Sequence, residues 1–217
     1  MKLPPWSFTM LSVYDRCPAQ AYAKYVTRTY PYEAENPAMA WGNAVHSAME
    51  YRINKNQRLP DDMQHWDKFA TNLCNKGIEA EMKLGVRNDY SACGFFDKDV
   101  YGRGKIDVPF VHESDEVAVI FDWKTGKSNY EDPLELKVNA VLLQAKYPNL
   151  KNIYGAYAWL KEDRWGELYD LSDTDSTREW IDETMAKAER SNFWTPKRNA
   201  LCGWCALDAC PNWKPKQ

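Results

Sequence analysis

"IFDWKTGKS", residues Ile120 to Ser128, packs a carboxylate, an amine and a Gly-Lys-Ser tail into one short stretch. The tail invites comparison with the phosphate-binding loop G-x-x-x-x-G-K-[ST], whose backbone amides cradle phosphates. With Gly126, Lys127 and Ser128 as its end, that loop needs a glycine at position 121, where this chain has Phe121. A nucleotide-binding loop is excluded. What is left is a strand ending in D-x-K: Asp122 and Lys124 are two apart, so in a strand both side chains point to one face.

Outward from this stretch, "DVYGRGKIDVPFVH" (Asp99–His112) and "EVAVIFDWKT" (Glu116–Thr125) read as strands joined by the polar turn Glu113-Ser114-Asp115, a hairpin signature. Pairing them brings Asp107 beside Asp122 near the sheet's end. Two carboxylates converging with a lysine suit divalent-metal catalysis. Mg²⁺ or Mn²⁺ would take the oxygens, polarise a phosphodiester and acidify a bound water. The lysine would orient that water or stabilise the developing charge. A bare D-x-K is also what a solvated strand end running into a Thr-Gly turn looks like, so the rest of the chain must decide.

The chain has 217 residues, 44% hydrophobic, 14% aromatic and 27% charged, with a mean hydropathy of -0.68, a composition suited to one sizeable core. No apolar run approaches the roughly 20 residues a membrane helix needs. The start, "MKLPPWSFTM", is broken by two prolines and lacks an apolar signal stretch. A cytoplasmic protein is expected. The net charge of -3 and pI near 5.7 leave no basic footprint for nucleic acid. That objection loses force if carboxylates are gathered round a metal that supplies positive charge locally.

Elsewhere, Met10–Val26 reads as a turn followed by a short helix, with Pro18 tolerated in its first turn. Trp41–Asn56 reads as a helix with an apolar stripe of Val45, Ala48, Met49 and Ile53, and with Asn43, His46 and Glu50 on a neighbouring stripe. A further helix is expected over Asp62–Lys83. An apolar helix over Pro133–Pro148 follows, then strands over Asn152–Lys161 and Trp165–Leu171. A last helix is expected from Ser176, where Ser-x-x-Glu179 makes a capping box, to about Asn192. The order implies a mixed α/β fold with helices packed on a sheet.

With these elements in place, the sequence resembles the RecB-type branch of the PD-(D/E)XK nuclease superfamily. That branch orders a G-x-x-x-H helix, a G-x-x-D strand, D-x-K-T, and a helix with Q-x-x-x-Y. Here the order is Gly42 to His46 in "GNAVH", Gly104 to Asp107 in "GKID", Asp122-Trp123-Lys124-Thr125, and a helix opening at Pro133. The resemblance implies a restriction-endonuclease-like core, a mixed sheet flanked by helices, over residues 40–192. It implies Asp107 and Asp122 as metal ligands, Lys124 as the catalytic lysine, His46 as a further ligand and the backbone carbonyl of Trp123 completing the site. An imidazole ligand would tilt the choice towards Mn²⁺. In place of the family's Gln and Tyr stand Glu135 and Asn139, one helical turn apart. Glu135 lacks a glutamine's donors and is expected to reach the metal or pair with Lys124.

Six cysteines are present, and "LCGWCALDACPNW" places Cys202, Cys205 and Cys210 as C-x2-C-x4-C. In a cytoplasmic chain such spacing points to metal before disulfide. Three thiolates need a fourth ligand, and Cys17 is the candidate. RecB-type nucleases with an iron–sulfur cluster, AddB-like and CRISPR-associated exonucleases among them, have one cysteine before the core and three after it. The resemblance therefore implies a [4Fe-4S] cluster on Cys17, Cys202, Cys205 and Cys210, with Zn²⁺ as the alternative occupant. Residues 1–30 and 195–217 would form that lobe of a single nuclease domain, 1–217. Cys74, Cys93, His65 and His112 show no comparable pattern.

The function this implies is metal-dependent exonucleolytic hydrolysis of DNA, at single strands or duplex ends. A stand-alone enzyme of the kind phages and CRISPR systems use is implied, with a recombination or single-strand-binding protein as a candidate partner. Three rivals remain: a DNA-binding or assembly module that has kept the fold and lost catalysis, a zinc-clasped nuclease with endonuclease activity, and a zinc-stabilised interaction protein with an accidental D-x-K.

Overall fold

The computed structural model describes residues 3–31, 37–74, 76–127, 131–191 and 194–214. The chain divides into two compact units, Met1–Ala34 with Arg178–Gln217, and Glu35–Thr177.

In the unit made from the chain's two ends, Ser7 caps helix α1 (Phe8–Arg16) by accepting the Met10 N–H at 3.3 Å, and Met10, Leu11 and Val13 are buried. Pro18 opens α2 (Pro18–Ala21), which runs on as one π-helical turn, Tyr22–Val26. Met10–Arg16 is therefore helical, where a turn was expected. The late segment lies along α1: Lys197 donates to the Asp15 carbonyl at 2.9 Å and Asn199 to that of Arg16 at 3.3 Å. The Trp194 ring meets Tyr14 edge-on at 5.5 Å and Tyr22 at 5.2 Å.

The central unit begins with α3 (Pro37–Lys55), which buries Val45, Met49 and Ile53. The helix expected over Asp62–Lys83 is much shorter: a 3-10 turn (Asp61–Trp66) and α4 (Asp67–Ala70) are all that forms. Gly77, at φ 71°, is past its end, and the chain then enters β1 (Met82–Val86). After β1 come β2 (Ala92–Cys93), β3 (Gly102–Ile106), β4 (Val108–His112), β5 (Val117–Lys124), α5 (Leu134–Lys146), β6 (Asn152–Trp159), β7 (Arg164–Trp165) and β8 (Tyr169–Asp170).

These strands make two sheets. One is antiparallel, in the order β2-β1-β3; the other has the order β4-β5-β6-β7 with β8 on β6, and is mixed because β5 and β6 run parallel. Parallel neighbours need a crossover, and α5 provides it. The stretch Asp99–His112, expected as one strand, breaks at Asp107. Its carbonyl accepts the Glu81 N–H at 2.8 Å and its Oδ2 accepts the Trp123 N–H at 2.9 Å, so the backbone bends and β3 and β4 join different sheets. The expected hairpin forms, with β4 and β5 joined by a 3-10 turn at Glu113–Asp115.

Helix α5 packs on β1, β3, β5 and β6 and buries Leu136 and the run Val138–Leu143. Its approach to β3 is close: a Cβ on Gly104 would lie 2.6 Å from Leu142 Cδ1. Val45, Met49 and Ile53 of α3 join Trp66, Phe69, Val108, Trp123, Ala158 and Leu160 in one apolar core. The last helix, α6 (Thr174–Arg190), starts two residues before the expected Ser176. Its cap is Asp173, which accepts the Ser176 N–H at 3.1 Å, so the Ser176–Glu179 capping box does not form; Asn192 lies outside the described residues. No described helix is long and apolar enough to cross a membrane.

Candidate metal and lysine site

The β4–β5 register pairs Val108 with Phe121, which sets Asp107 and Asp122 side by side just past the end of the ladder. Both are buried, at 6% and 5% exposure. From α3, His46 reaches the same place: its Nε2 is 3.0 Å from the Trp123 carbonyl oxygen, and its Nδ1 is 3.3 Å from Asp107 Oδ1. Gly42, one turn earlier, faces the end of β5, where a Cβ would meet Thr125 Oγ1 at 3.4 Å, an ordinary contact.

A residue that the sequence reading missed completes this group. Glu81 Oε1 is 3.2 Å from His46 Nδ1, and the ligand atoms of His46, Glu81 and Asp107 all lie within 4.8 Å of one another. Glu81 is held in a left-handed conformation at φ 59° and also pairs with Lys105. Its signal in the sequence was faint: one of two glutamates, Glu79 and Glu81, just before Met82-Lys83-Leu84, inside a stretch read as helix.

Lys124 forms a second group on the α5 side of β5. Its Nζ is 2.7 Å from Asp122 Oδ2 and 2.6 Å from Glu135 Oε2, and lies 5.1 Å from the Tyr157 ring centre. Glu135 thus pairs with Lys124, while Asn139 is buried one turn further along, nearer Gly104. Tyr157 in turn donates to the Asp132 carbonyl at 2.7 Å, two residues before α5.

The charges explain what these groups can hold. Burial opposes an imidazolium at His46, but hydrogen bonds and charge from Asp107 and Glu81 outweigh it and raise its pKa to about 10. Burial, then the Asp107 charge, push the Asp122 carboxyl well above the usual range despite Lys124. Burial also opposes the charge on Lys124, yet Asp122 and Glu135 hold it protonated. Burial and crowding thus push an imidazole and a carboxyl towards keeping their protons, in a pocket dense with carboxylates. That is the fit a divalent cation requires: a pocket that attracts positive charge, with oxygen and imidazole donors. A cleft of about 630 Å³ opens onto His46, Glu81 and Lys105, with Gly42 and Thr125 in its wall.

In the other unit, Cys17, Cys202, Cys205 and Cys210 line one hollow together with Trp213. Tyr30 donates to Cys205 Sγ at 3.8 Å, and the Asn199 N–H to Cys202 Sγ at 3.3 Å. The sulfurs do not converge tightly: the one His/Cys/Asp/Glu group within 4.8 Å among the described residues is His46, Glu81 and Asp107.

No curated protein matches the chain. Among solved structures, one described as "Crystal structure of SSO0001" is 16% identical, covers 93% of this chain and 84% of that chain, and has a TM-score of 0.45. The family profile of the PD-(D/E)XK nuclease superfamily matches residues 5–211, a span that takes in His46, Asp107, Asp122 and Lys124. Nearly the whole sequence fits it, and the chain belongs to the PD-(D/E)XK nuclease superfamily, whose members are metal-dependent nucleases acting on DNA.

Proposed function

We propose that this chain is a DNA exonuclease, a single cytoplasmic nuclease domain that works from single-stranded or duplex DNA ends. The observation that carries the reading is the convergence of His46, Glu81, Asp107 and the Trp123 carbonyl, next to a lysine clamped between two carboxylates. Asp107, Asp122, His46 and the Trp123 carbonyl are assigned to Mg²⁺ or Mn²⁺, with Glu81 orienting the imidazole. Such an ion, when bound, polarises the scissile phosphate and lowers the pKa of the attacking water.

The chain's own residues supply the rest. His46 must give up its proton to act as a ligand, and Glu81 and Asp107 fix which nitrogen is presented. Lys124 stays cationic through the physiological range and stabilises charge building on the phosphate oxygens. Glu135 holds Lys124 in place from α5, the position where the family carries glutamine.

The four cysteines are assigned to a [4Fe-4S] cluster. Their common hollow and the donors aimed at Cys202 and Cys205 support this, since hydrogen bonds to cysteine sulfurs are usual at such clusters. A tetrahedral zinc site would bring the sulfurs to about 3.8 Å of one another, from a Zn–S distance of about 2.3 Å. Zn²⁺ is the alternative occupant, and metal analysis separates the two. The ligands come from both chain ends, so the cluster acts as a clasp that closes a long loop and restricts the unfolded chain.

The test uses anaerobically purified protein and end-labelled linear DNA, single- and double-stranded, with Mn²⁺, Mg²⁺ or EDTA. Metal-dependent shortening from the ends, abolished in Lys124→Ala, is expected. Folded wild type that binds DNA and cuts none would leave a non-catalytic module as the reading. Iron and acid-labile sulfide analysis of the same preparation tests the cluster, and zinc in their place would refute it.

A further inference from the structure

The outward face of the three-stranded sheet carries residues that the hydrolytic site does not use. In the antiparallel β1–β3 pairing Lys83 stands opposite Lys105, and Gly85 opposite Arg103. Residues directly opposed share a face, so Lys83, Lys105 and Arg103 form one basic stripe, while Met82, Leu84 and Ile106 point into the core. Like charges set directly opposite each other on a sheet are unfavourable, and Glu81 offsets only the Lys105 side. Acidic groups in the loop after β2 do not neutralise the stripe, because Asp97 and Asp99 both lie against Arg87.

The two ends of the stripe differ. At one, Lys105 lines the cleft beside His46 and Glu81, two residues before Asp107. At the other, the Phe96 ring is 78% exposed. It is braced there: Phe95 meets it edge-on at 4.9 Å, and the Arg103 guanidinium is 5.9 Å from its centre. Arg103 also sits 5.0 Å from the Phe95 ring and donates to the Phe95 carbonyl at 3.3 Å. A planar apolar ring presented to solvent beside a guanidinium is the chemistry on which an unpaired base stacks.

We propose that this stripe is a track for single-stranded DNA, with phosphates along Lys105, Lys83 and Arg103 and an unstacked base on Phe96. This deepens, and rests on, the nuclease reading. Arg103 and Asp107 are separated by about 13 Å of extended chain. That length accommodates a short stretch of a few nucleotides of open strand. Bases inside a duplex are already stacked and paired, so the track selects DNA whose strand is open near the end being cut.

The experiment titrates fluorescein-labelled oligo-dT with the full chain in EDTA, by anisotropy, across a salt series. Wild type is compared with Phe96→Ala and Lys83→Ala, both at exposed positions. Phe96→Ala is expected to weaken binding about five- to a hundred-fold. Lys83→Ala is expected to flatten the slope of log affinity against log salt by about 0.7. In metal-dependent cleavage of single strands, Phe96→Ala is expected to raise KM with kcat unchanged. Equal oligo-dT affinity for Phe96→Ala and wild type, or an equal loss on blunt duplex, overturns the track and leaves the nuclease reading standing. Weakened binding by the variant together with no cutting by wild type supports the track and overturns the nuclease reading.

Discussion

Replacing Gly104 by alanine tests whether the G-x-x-D glycine exists to let α5 approach β3. The new Cβ would lie 2.6 Å from Leu142 Cδ1, whereas carbon atoms pack best about 3.5–4.0 Å apart. Leu142 is 1% exposed, on a helix whose Val138, Val141 and Leu143 are buried too, so its methyl has little room to swing aside. Overpacking of this kind costs about 1–3 kcal/mol. The lower backbone entropy of alanine in the unfolded chain returns about 0.5–1 kcal/mol. The mid-range values leave a net loss of about 1 kcal/mol, read as a lower urea midpoint at unchanged slope. Leu142→Ala alone leaves a cavity and costs about 2–5 kcal/mol. The double variant is expected to be more stable than the sum of the two losses by about 1 kcal/mol, because the added methyl fills part of that cavity. A Gly104→Ala protein as stable as wild type, or strictly additive losses, would refute the close-approach account.

Three further outcomes are expected. Glu81→Gln weakens Mn²⁺ binding about ten- to a hundred-fold in calorimetric titration, because the imidazole loses the carboxylate that orients it; unchanged affinity would remove Glu81 from the site. In metal-free protein His46 holds its proton more tightly when folded, with a pKa of about 10 against roughly 6.5 unfolded, so its stabilising contribution is complete below about pH 6.5 and is lost as pH rises through 10. The gap in Tm between wild type and His46→Gln in EDTA should therefore shrink from pH 6 to pH 10, and a gap that widens contradicts the charge assignment. Trp66→Phe strands the Leu160 carbonyl, which accepts the indole N–H at 2.8 Å in the buried core; a loss of about 1–3 kcal/mol is expected in denaturation, and no loss would show that the carbonyl finds another donor.

The chemistry of β5 was legible in the sequence because its determinants are local. Alternation puts Asp122 and Lys124 on one face, and a short polar turn fixes the hairpin that brings Asp107 alongside. His46 was reached through the family resemblance alone, as the histidine of a G-x-x-x-H helix, since a single histidine on a helix carries no local signal of its own. Glu81 was not reached. Its role depends on a left-handed residue at the entry to β1, inside a stretch that reads as one helix from Asp62 to Lys83. Gly77 was the overlooked stop signal. The break of the Asp99–His112 stretch was hidden too, because it comes from hydrogen bonds to Glu81 and Trp123, partners 26 and 16 residues away. The start of α6 was misplaced because Asp173 and Ser176 both make sound caps, and only the backbone's path selects Asp173.

The unit assembled from the two chain ends is built of pieces that leave the ribosome at different times. Roughly 140 residues separate Ala34 from Arg178, so at typical synthesis rates the second piece follows the first by roughly 7 to 30 s. In that interval the segment Glu35–Thr177 emerges complete and can bury its core, while Cys17 waits without Cys202, Cys205 and Cys210. Synthesis therefore sets an order: every residue that lines the cleft is present before Cys202, Cys205 and Cys210 can join Cys17 around their shared hollow.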